Sequence, residues 1–293
     1  MKIMIQLIAS DMDGTLLDEH MHISEENIAA IRYAQEKGIH FMVCTGRNIT
    51  EALPALNDAD IKCPMITLNG AQAFDKDHHV LFTIEIAKEN ALEVMQILEK
   101  HNVYYEVSTN QGTFSENLAR RIETFAAFLS QKLPHLTYQM AIAMTSARFE
   151  SLPIRIVDNM KEYILRDDIK VLKIIGFNNT DPDILEKVSA ELIDKPTLNV
   201  TSSGTNNIEI NHIDAQKGIA VKKIAEMLNI PLSQAMTIGD NFNDLSMIQE
   251  AGVSFAMENA VDELKQAAKY IADTNINSGV GKAIRRAIDE NLS

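Results

Sequence analysis

Between Ile3 and Thr15 an apolar run, Ile5, Leu7, Ile8 and Ala9, delivers Ser10 and then Asp11-Met12-Asp13-Gly14-Thr15. A central strand of a parallel sheet is covered on both faces, so a short run of mostly apolar residues suits it better than strict alternation. Ligands of open α/β sheets bind just past the carboxyl ends of the strands, which is where Asp11 and Asp13 fall. Two carboxylates this close repel by roughly 4 kcal/mol at about 4 Å and an effective dielectric near 20. Either a proton held by one of them or a divalent cation offsets that, and hard oxygen ligands of this kind suit Mg2+. Gly14 permits a sharp turn, and Thr15 can bond amides as a helical turn begins. The plainer reading is a surface turn whose aspartates merely cap.

A chain of 293 residues suggests two domains, and 46% hydrophobic residues are ample for their cores. The apolar run before Asp11 is too short for a membrane span, is interrupted by Gln6 and leads to carboxylates rather than a cleavage site, so a cytoplasmic protein is expected. Cys44 and Cys63 have neither metal-ligand spacing nor the look of a disulfide framework and read as core thiols. A formal charge of -14 argues against broad binding to nucleic acid or to anionic membranes. An anionic substrate must then be held by local positive charge.

The rest of the chain repeats the opening pattern. Ser24 reads as a helix N-cap ahead of Glu25, Glu26, Ile28 and Ile31, and Gly38 closes the segment before a second buried strand, Ile39 to Cys44. That strand ends in Thr45-Gly46-Arg47, a hydroxyl, a flexible glycine and a guanidinium suited to phosphate oxygens. Pro54 falls where the next helix should run, where it either kinks or ends it. Met65 to Leu68 reads as a third strand with Asn69-Gly70 as its turn, and a hairpin follows around Asp75 to His79, whose His78-His79 pair reads as solvent-exposed.

From about residue 86 the rhythm changes to that of an α+β insert. Helices are expected around Ala91 to Leu98, over Ser115 to Leu133 and over Pro182 to Ile193. Strands are expected at Val103 to Val107, Val171 to Phe177, Leu198 to Val200 and Ile208 to Ile210. Tyr104, Tyr105 and Phe114 could form a ligand wall, although aromatic positions in a small sheet more often belong to a core. The first rhythm returns with Asp214, read as the cap of a helix carrying Lys217 in its first turn, against the macrodipole unless an anion binds there. Ala235 to Gly239 is another buried strand, ending in Asp240-Asn241-Phe242-Asn243-Asp244. Asp244 can cap the following helix, whereas Asp240 sits as Asp11 does. Val253 to Met257, a helix from Asn259, Tyr270 to Asp273 and a helix from Gly281 complete a doubly wound α/β pattern.

A carboxylate pair, a threonine, a lysine and a second carboxylate group, each after a strand, describe metal-assisted phosphoryl transfer. Asp11 can attack phosphorus and carry it as an aspartyl phosphate. Mg2+ bound by Asp11, Asp240 and the backbone carbonyl of Asp13, with Lys217 and Thr45 opposite, would neutralise the phosphoryl oxygens. The Asp13 side chain is then free to protonate the leaving oxygen and later to deprotonate water.

On these residues the sequence resembles the haloacid-dehalogenase superfamily of phosphatases, in its Cof-like branch. DMDGTLL looks like the first motif of that superfamily, CTGR the second, Lys217 the third and GDNFNDLSM the fourth. The resemblance implies a doubly wound, Rossmann-like catalytic core over residues 1–85 and 213–293. The insert at 86–212 resembles in outline the α+β caps that select substrate. It further implies Asp11 as nucleophile, Asp13 as acid and base, and Asp240 as metal ligand. Asn243 is implied as a contact to phosphate or the metal shell, and Asp244 as an orienting carboxylate. A dehalogenase of this superfamily lacks the second aspartate of the first motif, so Asp13 favours a phosphatase. Small phosphorylated metabolites are the implied substrates, with sugar phosphates, pyridoxal phosphate and flavin-pathway phosphates among those of the family. A phosphomutase using the same nucleophile and a non-catalytic phospholigand sensor are the alternatives; the acid/base Asp13 speaks against the sensor.

Overall fold

The computed structural model of the chain describes residues 5–133, 135–147, 154–179, 181–204 and 206–292, so Ile3 and Met4 of the opening stretch lie outside the described residues. The chain folds as two compact units, one built from the residues up to Ile84 and from Asp214 onward, the other from Glu85–Ile213. The first part of the chain holds strands β1 (Leu7–Ser10), β2 (His40–Cys44), β3 (Met65–Thr67), β4 (Gln72–Phe74) and β5 (Val80–Thr83). The insert holds β6 (Tyr104–Thr109), β7 (Gly112–Ser115), β8 (Ile154–Ile156), β9 (Val171–Phe177), β10 (Leu198–Thr201) and β11 (Asn207–His212). The last part adds β12 (Ala235–Gly239), β13 (Val253–Ala256) and β14 (Tyr270–Ile271).

In the first unit β1 lies inside a sheet of order β14-β13-β12-β1-β2-β3-β4-β5. The strands from β14 to β3 are parallel, and β4 and β5 add an antiparallel hairpin. Ile8 joins a cluster with Val43, Met236 and Ile238 under the helices Glu25–Glu36 and Gly279–Asp289. Leu7 and Ala9 join another with Met42, Cys44, Ile66 and the Val221 and Ile224 side chains of the helix Lys217–Met227. Both faces of β1 are therefore apolar, which is why it reads as a run and not as an alternation; each fully buried Leu or Ile stabilises by about 1.5–3 kcal/mol. Ser10 stands in register with both Ile238 and Val43, so β12, β1 and β2 release their chains at one edge of the sheet.

Local chemistry explains the ends of these elements. The Ser24 side chain accepts the Asn27 amide, and Asn48 and Glu51 form a reciprocal capping box at the start of the helix Ile49–Asp58. Pro54 lies inside that helix without ending it. Cys44 and Cys63 are free, buried thiols, and burial pushes Cys63 up to about 12 and Cys44 further. Two expectations are corrected. Asp214 does not cap the Lys217 helix: Gln216 is the N-cap, without a side-chain bond, and the Gly218 amide donates instead to the Ser246 hydroxyl at 2.9 Å. The helix expected from Asn259 opens only at Asp262, because Asn259 bonds other parts of the chain.

The second unit is a sheet of order β10-β11-β9-β6-β7-β8, antiparallel except for the β7–β8 pair. One face carries Val107, Phe114, Ile174, Ile208 and Ile210, packed with Val94, Leu98, Leu185 and Val188 from the helices Lys88–Lys100 and Pro182–Leu192. The alternate positions Tyr104, Glu106, Ser108, Lys173 and Glu209 occupy the other face. Ser115, expected to open a helix, closes β7 instead, and Asn117 caps the helix Leu118–Lys132. The three aromatics are engaged within the insert and form no free wall. Phe114 packs in the core with its ring centre 4.4 Å from that of Tyr163 and tilted 40° to it, Tyr104 is buried with its hydroxyl bonded to Glu106 and Ser115, and the Tyr105 hydroxyl donates to Glu99 at 3.0 Å. No helix among the described residues is long and apolar enough to cross a membrane.

Candidate active site

The site is assembled by chain leaving the sheet. The Asp11 amide donates to the Ile238 carbonyl at 2.9 Å and extends the β1–β12 pairing by one residue, which directs the chain into its turn with the carboxylate buried. The Lys217 ammonium, fully buried at the start of its helix, lies 2.5 Å from Asp11 Oδ1 and 2.6 Å from Asp244 Oδ1. The other oxygen of Asp244 accepts the backbone amides of Asp240 and Asn241 at 2.9 and 3.0 Å. The Asp244 side chain thus does not make the expected cap on the following helix Leu245–Glu250; it closes a capping box with Asn241 one turn earlier, and it also fixes the lysine that faces Asp11.

Asp240 reaches the same place from β12. Thr15, read as a partner for amides, instead donates its hydroxyl to Asp240 Oδ1 at 2.8 Å. Gly14 makes this approach possible: with φ at +75° it occupies the left-handed region, and a Cβ there would lie 2.5 Å from Asp240 Oδ2. The Gly14 carbonyl accepts the Asn259 side-chain amide at 2.8 Å. Nothing local marked Asn259, since its partner lies at the other end of the chain.

The electrostatics are unbalanced. Asp11, Asp240 and Asp244 offer oxygens that all lie within 4.8 Å of one another. Three carboxylates against the one ammonium of Lys217 leave a formal excess of two negative charges. Burial and then Asp244 lift the Asp11 carboxyl well above its usual range, although Lys217 opposes them. Burial and Asp244 push Asp240 up to about 7. Burial pulls Lys217 down, but the carboxylates of Asp11 and Asp244 carry it above an ordinary lysine, so it is the fixed cation of the site. An oxygen-only donor set with two uncompensated charges fits a hard divalent ion.

Asp13 stands apart from this cluster. Its carboxylate receives Arg47 through two bonds, Nε to Oδ2 at 2.8 Å and Nη2 to Oδ1 at 2.5 Å. Arg47, expected on phosphate, also donates to the Glu51 carbonyl at 3.1 Å, and although burial opposes it, its hydrogen bonds to the Asp13 carboxylate hold the guanidinium above its usual value. Thr45 is fully buried after β2, its hydroxyl accepting the Arg47 amide at 3.1 Å, with Gly46 half-buried between them. Asn243 is half-buried and donates to Asn69 at 3.2 Å. His78 and His79 are exposed, and His79 pairs with Asp75.

This arrangement has relatives. The family model for haloacid dehalogenase-like hydrolases matches residues 8–284. The chain belongs to that family. It is 32% identical to the 5-amino-6-(5-phospho-D-ribitylamino)uracil phosphatase YcsE of Bacillus subtilis over 96% of this chain and 95% of that one. It is 30% identical to the phosphatase YwpJ of the same organism, over 97% of this chain and 100% of that one. Among solved structures, a haloacid dehalogenase-like hydrolase from B. subtilis is similar with a TM-score of 0.86 and 30% identity, covering 96% of this chain and 99% of that one. This member of the family is thus an enzyme of the phosphatase type, with a Rossmann-like core.

Proposed function

We propose that this chain is a cytoplasmic, Mg2+-dependent phosphatase that hydrolyses small phosphorylated metabolites through an aspartyl phosphate on Asp11. The observation that carries the reading is the buried Lys217 ammonium held between Asp11 and Asp244 at a strand's carboxyl end, with a separate carboxylate, Asp13, two residues after the nucleophile. Asp11 attacks phosphorus, and the ester oxygen leaves as the hydroxyl of the metabolite after taking the Asp13 proton. Water, giving its proton to Asp13, then attacks the phosphoryl group; orthophosphate departs and both carboxyls are restored. Lys217, with Thr45 and Asn243, binds the phosphoryl oxygens, and Arg47 keeps Asp13 in place. Mg2+ held by Asp11, Asp240 and the Asp13 carbonyl, with Asp244 beside them, would supply charge neutralisation of the phosphoryl group.

The insert is assigned to substrate selection, because every residue placed in the chemistry belongs to the first unit and acts at the phosphoryl group or its leaving oxygen, which all candidate substrates share. The activities named for YcsE and YwpJ support the reaction class proposed for the first unit. The test is release of orthophosphate from a panel of phosphorylated metabolites and p-nitrophenyl phosphate. Turnover is expected with Mg2+, with none after chelation and none in a folded Asp11→Asn protein. Full activity in either case would refute the reading, and transfer to a second sugar without release would favour a mutase.

A further inference from the structure

The turn after β3 is a strand end at the site to which no motif assigns a task, and its backbone is unusual. Leu68, Asn69 and Gly70 have φ of +51°, +59° and +103°, three consecutive left-handed residues of which two are not glycine. Such a run persists only where the surroundings hold it, and strain of this sort gathers at functional sites. Here the surroundings are the site loops. The Leu68 amide donates to the Arg47 carbonyl at 2.9 Å and the Asn69 amide to the Thr45 carbonyl at 3.1 Å, so the turn is stitched to the loop after β2. The Asn69 side chain, almost completely buried, accepts the Asn243 amide at 3.2 Å and so reaches the loop after β12. Gly70 lies under the residue before Lys217: a Cβ there would stand 2.6 Å from the Gln216 carbonyl oxygen.

We propose that Asn69 and Gly70 are positioning residues, a clamp that sets the Asn243 amide and the start of the Lys217 helix relative to Thr45 and Asp11. The inference rests on the phosphatase reading above. Its logic is geometric: three loops from separate strands converge on one phosphoryl group, and the β3 turn touches all three. A shift of about 1 Å in a group so placed lowers turnover by about 100-fold. The left-handed backbone leaves few alternatives at Asn69, since asparagine tolerates that region and adds a side chain that glycine lacks.

A double-mutant cycle tests the clamp. Asn69→Gly keeps the left-handed backbone and removes only the side chain. It is expected to lower kcat/KM for p-nitrophenyl phosphate by about 10- to 100-fold, as outer-shell partners do, with weaker inhibition by orthophosphate and an unchanged circular dichroism spectrum. Asn243→Ala should lose as much, and the double variant no more than Asn243→Ala alone. Gly70→Ala, by pressing on Gln216, should lower kcat more than it raises KM. Wild-type kcat/KM in Asn69→Gly, or losses that multiply in the double variant, would overturn the proposal, and it stands on Asn69 even if Gly70→Ala does not fold. Absence of phosphate release by the wild-type protein would instead sink the phosphatase reading, and the clamp with it.

Discussion

Both units bury charged side chains, but they do so differently. Among the described residues of the insert, buried cations stand against single carboxylates: Lys173 lies 2.7 Å from Glu209, and Arg121 pairs with Glu106. Hydroxyls add to the carboxylates, Ser203 donating to Glu209 and Tyr104 to Glu106, while the buried Nε of Arg121 has no hydrogen-bond partner among the described residues. In the first unit one cation serves two carboxylates, and a third, Asp240, stands within reach. In a buried pair each charge compensates the other's desolvation, and removing one partner leaves the other uncompensated. An unbalanced cluster is costly to maintain by itself and becomes favourable when a cation and a phosphoryl group arrive. On the function proposed above, the contrast separates the unit assigned the chemistry from the insert assigned to substrate selection.

Lys217→Ala strikes this contrast at its sharpest point. It leaves Asp11 and Asp244 facing each other without their ammonium and removes a fixed donor from the developing charge. The expected loss in kcat is about 10²- to 10³-fold, alike for p-nitrophenyl phosphate and for a metabolite, because the lysine reads only the phosphoryl group. A change confined to KM at saturating Mg2+ would make it a binding residue, and the charge imbalance would then need another explanation.

Arg47→Gln probes the boundary between the two kinds of pair, since Arg47 and Asp13 form a balanced pair inside the reactive unit. If the guanidinium positions the acid, kcat should fall roughly tenfold for an alkyl phosphate, whose leaving oxygen needs a proton, and much less for p-nitrophenyl phosphate. An equal rise in KM for both esters with kcat intact would return Arg47 to the phosphate-binding role that its place after Thr45 suggests.

Much of the reactive unit was legible because its residues follow strands. Asp11, Thr45 and Asp240 each come directly after a buried apolar run, and parallel strands in register bring such positions together whatever the loops do. What could not be read depended on contacts remote in sequence. Thr15 meets Asp240, and Asn259 holds the Gly14 carbonyl, across more than two hundred residues; neither has a local signature. A guanidinium suits phosphate and carboxylate equally, so the place of Arg47 after Thr45 gives no sign that Asp13 is its partner in the structure. The insert was less legible. Gly112–Ser115 is too short and too polar to announce itself as a strand, and Ser115 resembles a helix cap closely enough to take the following helix's place. Its charges, at alternate positions of β6, β9 and β11, interrupt the apolar pattern instead of ending it.

The smallest expected effect on chemistry tests whether the insert's pairs are as self-contained as they look. In Glu106→Gln the Arg121 guanidinium, only 4% exposed, loses its carboxylate while the neutral amide keeps the shape and one acceptor. Phe125 still lies against the guanidinium, 3.7 Å from its ring centre, so part of the environment survives. An uncompensated buried cation should destabilise the protein by roughly 3 kcal/mol, seen as a fall of several degrees in Tm. Turnover of p-nitrophenyl phosphate per folded molecule should stay within about twofold, because every group placed in the chemistry lies in the other unit. The diagnostic is the pair of measurements taken together. A lower Tm with unaltered kcat keeps the division between a balanced, structural charge pair and an unbalanced, reactive one. A kcat that falls at a temperature where the variant is fully folded would mean that Glu106 and Arg121 act on the reaction itself, and the insert would then have to be counted among the catalytic elements.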